Sequence, residues 1–252
     1  MSLHVVVTGA SSGIGAALAR EYFARHARVT LVARRRELLE QVAAGRAAHL
    51  VQADLTDPAQ VTSWVDGAEA EQGPVDVLIN NAGVQIVRSF LDTPIEDARR
   101  LLELDLLTPL RLSQHVAKKM AARGQGTLVD IASVAAIAPT PGMAFYNAAK
   151  GGLAAASEGL RAELKAHGVH VVTVYPGPVK TPMEEAGRTA FETSKVATLL
   201  TPTGDADVLA RLVADAVEAR QPRVIYPALN GLARHFPAMT RLLLDALTPK
   251  LR

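Results

Sequence analysis

A short β-branched run, His4–Thr8, passes straight into Gly9-Ala10-Ser11-Ser12-Gly13-Ile14-Gly15 and then into Ala-rich, helix-favouring sequence. This order of strand, glycine turn and helix opens a βα unit and constrains the fold more than anything else in the chain. The pattern then repeats. Strands are expected at His4–Thr8, Arg28–Ala33, His49–Gln52, Val75–Asn80, Thr127–Ala132, Val169–Tyr175 and Val224–Tyr226. Helices are expected over Gly13–His26, Arg34–Ala44, Pro58–Gln72, Pro94–Arg123, Ala144–His167 and Asp205–Arg220. Such alternation predicts a single α/β domain over residues 1–252, doubly wound about a mostly parallel sheet by right-handed crossovers.

Two stretches break the rhythm. Residues 178–203 hold Pro178, Pro182, Gly187 and Pro202 and read as a long connection, with 183–200 the expected substrate loop. Residues 228–252 place Leu229, Leu232, Phe236, Met239, Leu243 and Leu247 at three- and four-residue steps, an amphipathic helical tail interrupted at Pro237. Its apolar stripe is expected to cover the chain's own core or a subunit interface. Contact with a membrane surface, aided by Arg234, Arg241 and Lys250, is the less favoured alternative.

Composition narrows the partners. A net charge of +2 with acids and bases interleaved leaves no cationic stripe to neutralise phosphates, so nucleic acid is not an expected partner. The absence of cysteine removes disulfide and thiolate chemistry, and no metal is invoked. No apolar run approaches membrane-spanning length and the first residues lack a signal-peptide pattern. The expected setting is the cytoplasm and the expected partner a small-molecule substrate.

The turn carries chemistry. Gly9, Gly13 and Gly15 would let backbone approach a pyrophosphate, and the following helix would offer its free N–H groups and dipole. A turn that binds nothing is the bland alternative. Gly9-Ala10-Ser11-Ser12-Gly13 also fits the nucleophile elbow of serine hydrolases, with Ser11 as nucleophile. It caps the first strand, however, and none of the seven histidines stands in a triad context. His167 and His170 flank a helix end at Gly168, where the dipole favours a cationic ring.

The second strand runs into Arg34-Arg35-Arg36. A carboxylate near this point would hold a ribose 2′-hydroxyl, whereas arginine suits a 2′-phosphate. Three cations at a helix start also oppose its dipole, and a bound phosphate would relieve them. NADP is therefore favoured over NAD, with Arg34 the best single contact. Asp54 after the third strand could accept from an adenine amino group, and Asn80-Asn81-Ala82-Gly83 closes the fourth beside the strand-order switch.

Tyr146 and Lys150 are four apart in helical sequence and share a face, while Ser133 follows an apolar run. A phenol beside an ammonium can move a proton. Its ordinary pKa near 10 would have to fall by ~3 units to act as a base near neutrality.

The Gly9–Gly15 turn, Asp54, Asn80–Gly83, Ser133, Tyr146, Lys150 and Pro176-Gly177-Pro178-Val179-Lys180-Thr181 occur in one order. Together they resemble the short-chain dehydrogenase/reductase family over about residues 3–182. The resemblance implies a Rossmann fold with seven strands in order 3-2-1-4-5-6-7, and an oxidoreductase that exchanges hydride between NADP(H) and a carbonyl or secondary alcohol. It implies a catalytic trio of Ser133, Tyr146 and Lys150. Gly9, Ser11, Ser12, Gly13, Ile14, Arg34, Asp54, Leu55, Asn81, Tyr146, Lys150, Val179 and Thr181 would bind the cofactor.

It further implies a homo-oligomer, dimer or tetramer, with the helices at 94–123 and 144–167 able to pair across a dimer axis. A non-catalytic dinucleotide sensor or scaffold on the same fold is the alternative. Val134, Ala135, Pro139 and Met143 suggest an apolar substrate.

Two departures stand out. Family members commonly carry Asn in the fourth helix to support a water of the proton relay, and Asp105 holds that place here. Asp105 either alters the relay, since an ionised carboxylate cannot donate, or bonds to local backbone. The usual Gly-rich last strand is replaced by Arg223–Pro227 and the tail, so the tetramer contacts of that ending are not implied.

Overall fold

The structure, a computed structural model, describes residues 2–191 and 203–248. Seven parallel strands form one sheet: β1 (His4–Thr8), β2 (Arg28–Ala33), β3 (Ala48–Gln52), β4 (Val77–Asn80), β5 (Gly126–Ile131), β6 (Val169–Pro176) and β7 (Arg223–Tyr226). Their order is 3-2-1-4-5-6-7, the Rossmann-type arrangement expected. The helices are α1 (Gly13–Ala24), α2 (Arg36–Ala43), α3 (Val65–Gln72), α4 (Ile95–Leu102), α5 (Thr108–Ala122), α6 (Ala144–Lys165), α7 (Pro182–Thr189), α8 (Ala206–Glu218), α9 (Gly231–His235) and α10 (Pro237–Leu247).

Side-chain alternation along the strands builds a core on each face of the sheet. Val5 and Val7 of β1 pack with Leu18, Leu209 and Val213 from α1 and α8. Val6, between them, points the other way, to Leu78, Leu112, Val116 and Met120. Each such residue, fully buried, contributes roughly 1.5–3 kcal/mol. Asp205 caps α8 by accepting from the backbone N–H of Asp207 and Val208, which explains why that helix starts one residue after the expected point.

Three expectations change. The stretch 58–72 is not one helix: a 3₁₀ turn at Pro58–Gln60 precedes α3. The stretch 94–123 is broken by a π-helical turn at Glu103–Leu107, between α4 and α5. His170 is pushed below the ordinary histidine pKa by burial, with Arg220 and Arg161 adding to it, although its ring bonds the Gln221 carbonyl at 3.0 Å; a cationic ring is thus disfavoured there.

The tail does break at Pro237, which begins α10 where a missing N–H costs nothing. Its stripe does not enter the core, however. Leu229, Leu232, Phe236, Met239 and Leu243 stay half-exposed or more, and only Ala233 of α9 is buried. Polar contacts seat the tail on the body instead. Arg234 lies 3.5 Å from Glu158 and stacks over the Tyr175 ring, and Arg241 donates to the Pro139 carbonyl at 2.9 Å. No helix among the described residues is long and apolar enough to cross a membrane. Residues 192–200 of the expected substrate loop and 249–252 of the tail lie outside the described residues.

The tightest packing is where α1 leaves β1. A Cβ on Gly15 would meet the Gly9 carbonyl oxygen at 2.3 Å and Asn81 Nδ2 at 2.5 Å. Gly159, in the exposed middle of α6, has nothing within 4 Å. Gly15→Ala is therefore expected to destabilise by roughly 1–3 kcal/mol through overpacking. Gly159→Ala should stabilise by roughly 0.5–1 kcal/mol by stiffening the unfolded chain. Urea titrations of the two variants, read at unchanged slope, check both signs.

Candidate active site

In a doubly wound sheet the loops at the carboxyl ends of the strands diverge at the strand-order switch, here between β1 and β4. The loops leaving all of β1 to β6 line one cleft there, of about 960 Å³. Gly9 follows β1, Arg34 follows β2, Asp54 follows β3, Asn81 follows β4, Ser133 follows β5 and Gly177 follows β6. Ser11, Ser12, Gly13, Ile14, Leu55, Tyr146, Lys150, Val179 and Thr181 line the same cleft. The sequence-derived candidates, far apart along the chain, are thus brought together without exception.

Local chemistry explains the turn. Gly9 sits at φ +64°, a left-handed conformation, and a Cβ there would stand 2.8 Å from Ala82 Cα. Thr8 Oγ1 accepts from the backbone N–H of Asn81 (2.9 Å) and Ala82 (3.0 Å). Asn81 Nδ2 donates back to the Thr8 carbonyl at 2.9 Å. These bonds lock the β1 turn to the β4 loop, so Asn81 holds the turn's shape as well as lining the cleft. Ser12 caps α1 in extended conformation without using its side chain, leaving the hydroxyl and the first helical N–H groups directed at the cleft. Gly13 also takes a positive φ, with Thr181 closing on it from above. A backbone cradle of this kind, at a helix N-terminus, fits a pyrophosphate.

At the far end Arg36 is taken up by Glu40 at 3.1 Å, while Arg34 and Arg35 stay exposed with no ion pair among the described residues. Asp54 accepts from the Thr56 N–H (3.0 Å) and hydroxyl (2.8 Å), and these bonds, with Arg34 nearby, hold its carboxyl below the ordinary range. Asp54 is therefore fixed as an anion acceptor. Leu55 and Val179 are buried and form apolar walls between.

At the other end α6 presents Tyr146 and Lys150 side by side, the ammonium 5.9 Å from the phenol ring centre. Both are nearly buried, at 8% and 5% exposure. Lys150 Nζ donates to the Ile131 carbonyl at 3.1 Å, at the end of β5. Ser133, two residues on, caps a 3₁₀ turn by accepting from the Ala135 N–H at 3.1 Å, which orients its hydroxyl beside Tyr146.

Burial pushes the phenol above its ordinary pKa; Lys150 and Ser133 pull it down and Asp105 pushes it further up. The downward shift expected from the lysine alone is thus not what these surroundings produce, and the phenol carries its proton. For Lys150 burial works against the charge, but Asp105, Tyr146 and Asp130 outweigh it and the ammonium is held up. Behind it, Asp130 accepts from Asn80 Nδ2 at 2.8 Å, and burial raises its carboxyl.

No histidine lines the cleft among the described residues, so the cleft offers Ser11 no histidine for a triad, and the hydrolase alternative is not supported. Nor is there a group of three metal-ligating side chains among those residues.

Sequence reasoning missed Gln85 and Val87, and above all the tail. Leu229, Asn230, Leu232, Leu243 and Leu244 line the cleft beside Met143, Met183 and Phe191. The apolar spacing of the tail was visible in the sequence, but spacing does not say which surface a helix will face.

Known proteins share this fold and much of this sequence. A family model described as short chain dehydrogenase matches residues 3–191. A fatty acyl-CoA reductase of Mycobacterium tuberculosis is 36% identical over 187 residues, 71% of this chain and 64% of that relative, so the chain spans less than two thirds of its length. A ketoacyl reductase of Nostoc is 32% identical over 83% of this chain and 74% of its own. Among solved structures, a short-chain dehydrogenase from Sphingobium yanoikuyae in complex with NADPH superposes with TM-score 0.81 at 31% identity, covering 98% of this chain and 97% of that one. An actinorhodin polyketide ketoreductase with NADPH gives TM-score 0.83 at 29% identity, over 89% and 95% of the two chains. A match over three quarters of the residues, with solved neighbours of the same fold, means that this chain belongs to the short-chain dehydrogenase family.

Proposed function

We propose that the protein is an NADP(H)-dependent oxidoreductase that interconverts a carbonyl and a secondary alcohol on an apolar small molecule, with Tyr146 as the proton-transfer group. The observation that carries this reading is the layout of one cleft. Its far end has two arginines without ion pairs among the described residues, its middle has a glycine cradle at a helix N-terminus, and its near end has Ser133, Tyr146 and Lys150.

Arg34 and Arg35 would hold a 2′-phosphate, Asp54 the adenine, and the Gly9–Ile14 turn the pyrophosphate. When bound, the nicotinamide supplies or accepts the hydride. The chain manages the proton. Tyr146 gives it to the substrate oxygen during reduction and removes it during oxidation. Lys150 stabilises the phenolate left behind, and Ser133 donates to the substrate oxygen as negative charge grows there. Leu232, Leu243 and Leu244 of the tail, with Met143 and Met183 opposite, exclude water and favour an apolar substrate. Relatives named as fatty acyl-CoA and ketoacyl reductases, and solved neighbours titled with NADPH, agree with this reading.

Tyr146→Phe is expected to lower turnover by roughly 10²–10⁴-fold while leaving NADPH binding within a few-fold. NADPH oxidation against a panel of ketones and aldehydes, with binding read by calorimetry, checks it. Retained turnover removes Tyr146 from its role, and tight binding with no turnover of any substrate by the native protein favours a sensor.

Arg34→Ala should cut the preference for NADPH over NADH by roughly 10–100-fold, the loss of one charge-assisted phosphate contact. The ratio of the two dissociation constants measures it directly.

A further inference from the structure

The π-helical turn Glu103–Leu107 gains a residue relative to an α-helical turn and carries Asp105 into the interior, where it is fully buried. Its Oδ1 accepts from the Val84 N–H at 2.8 Å. Its Oδ2 lies 3.2 Å from Lys150 Nζ but accepts no well-aligned hydrogen bond. Gly83 makes room for it, because a Cβ there would stand 2.8 Å from Oδ2. The carboxyl group therefore faces the same ammonium that lies beside Tyr146, and all three groups are buried. Burial raises the Asp105 carboxyl above its ordinary range, and Lys150, with the Val84 N–H, draws it back toward the anion.

We propose that Asp105 is a positioning residue that, ionised against Lys150, offsets the ammonium's pull on Tyr146 and sets the site as a proton donor for carbonyl reduction. The inference rests on the acid–base role proposed for Tyr146. In the reducing direction the Tyr146 O–H bond breaks and its proton goes to the substrate oxygen, while the substrate carbon takes a hydride from the reduced nicotinamide. The phenolate left against Lys150 is reprotonated from solvent.

Other charges around Tyr146 do not supply this effect. Asp130, from β5, also faces Lys150, but Asn80 already donates to it and Ser157 bonds it. Ser133, from the turn after β5, is neutral. On α4, Glu96, Arg99 and Arg100 are exposed and Asp97 pairs with Arg88 at 3.8 Å. Glu103, in the same π turn, points out to Arg111 of α5 at 3.0 Å. Further along α6, Glu158 is taken up by Arg161, Arg223 and Tyr175. Asp105 is the buried anion on Lys150 with an oxygen left unbonded.

The test is a phenolate absorbance titration of the cofactor-free protein as wild type, Asp105→Asn and Asp105→Ser. Each is compared with the same background carrying Tyr146→Phe, so that subtraction isolates Tyr146 from Tyr22, Tyr175 and Tyr226. Removing the anion should let Tyr146 ionise at lower pH in both variants, by about one unit or more, or roughly tenfold more phenolate at a given pH. A phenolate step that appears in the variants where the wild type shows none counts as the same shift. The rising limb of alcohol oxidation should move to lower pH by the same amount, and carbonyl reduction should begin to fail at lower pH. An unmoved or upward-shifted titration in both variants overturns the proposal, for it would mean that Asp105 is neutral beside Lys150. Unimpaired turnover by Tyr146→Phe in the native background would instead overturn the acid–base reading itself, whatever the titrations give.

Discussion

The structure around the site answers one electrostatic demand: an ammonium has been taken out of water. Lys150 is 5% exposed, and a cation so placed costs several kcal/mol in lost hydration unless acceptors and anions surround it. Each neighbour meets part of that demand from a different element. The Ile131 carbonyl at the end of β5 accepts a hydrogen bond from its Nζ, Asp105 approaches from the π turn, Asp130 stands behind, and Tyr146 lies one helical turn away. Because these partners come from β5, the π turn and α6, any shift of one element against another leaves a charge unpaired. The site's geometry is held by that penalty as much as by packing.

The same coupling reaches the other end of the cleft. Asn80 bonds Asp130 and Ser113, and the adjacent Asn81 bonds the Thr8 carbonyl. Two consecutive side chains, the last of β4 and the first of the loop after it, thus link the polar network behind Lys150 to the glycine turn of β1. Asp105 is tied in through Val84, three residues along the same loop. The segment from Asn80 to Val84 therefore ties the glycine turn of β1 to the surroundings of Lys150 and Tyr146. The hydride transfer proposed for this cleft would need the separation of its two ends to be right to within a fraction of an ångström.

What the sequence disclosed follows from how each feature is encoded. Strand positions and their order were legible because β-branched runs, crossover rules and the glycine turn act locally. The cleft residues were legible because they follow strand ends, where a doubly wound sheet must open. The π turn was not, because Glu103-Leu104-Asp105-Leu106-Leu107 has ordinary helical composition, and it is tertiary pairing of Asp105 with Lys150 and Val84 that makes the extra residue worthwhile. The rise in the Tyr146 pKa escaped for a similar reason. A Tyr-x-x-x-Lys spacing announces the cation but not the burial and the second carboxylate that oppose it. The tail shows the limit of periodicity: spacing identified an amphipathic helix, yet Arg234 on Glu158 and Arg241 on the Pro139 carbonyl decide that it lies across the cleft.

Those two arginine contacts bear on how the cleft works. Leu232, Leu243 and Leu244 line the apolar end, yet the tail buries little of its surface in the core, so its position rests on a few half-exposed polar bonds. Exposed pairs of this kind contribute about 0–1 kcal/mol each, far less than the sheet core below. The tail is therefore held more weakly than Lys150 and its buried partners. Under the proposed function a substrate would displace the tail at small cost without disturbing the charges around Lys150. That division would place tolerance of substrate shape in the tail and control of proton transfer in the sheet.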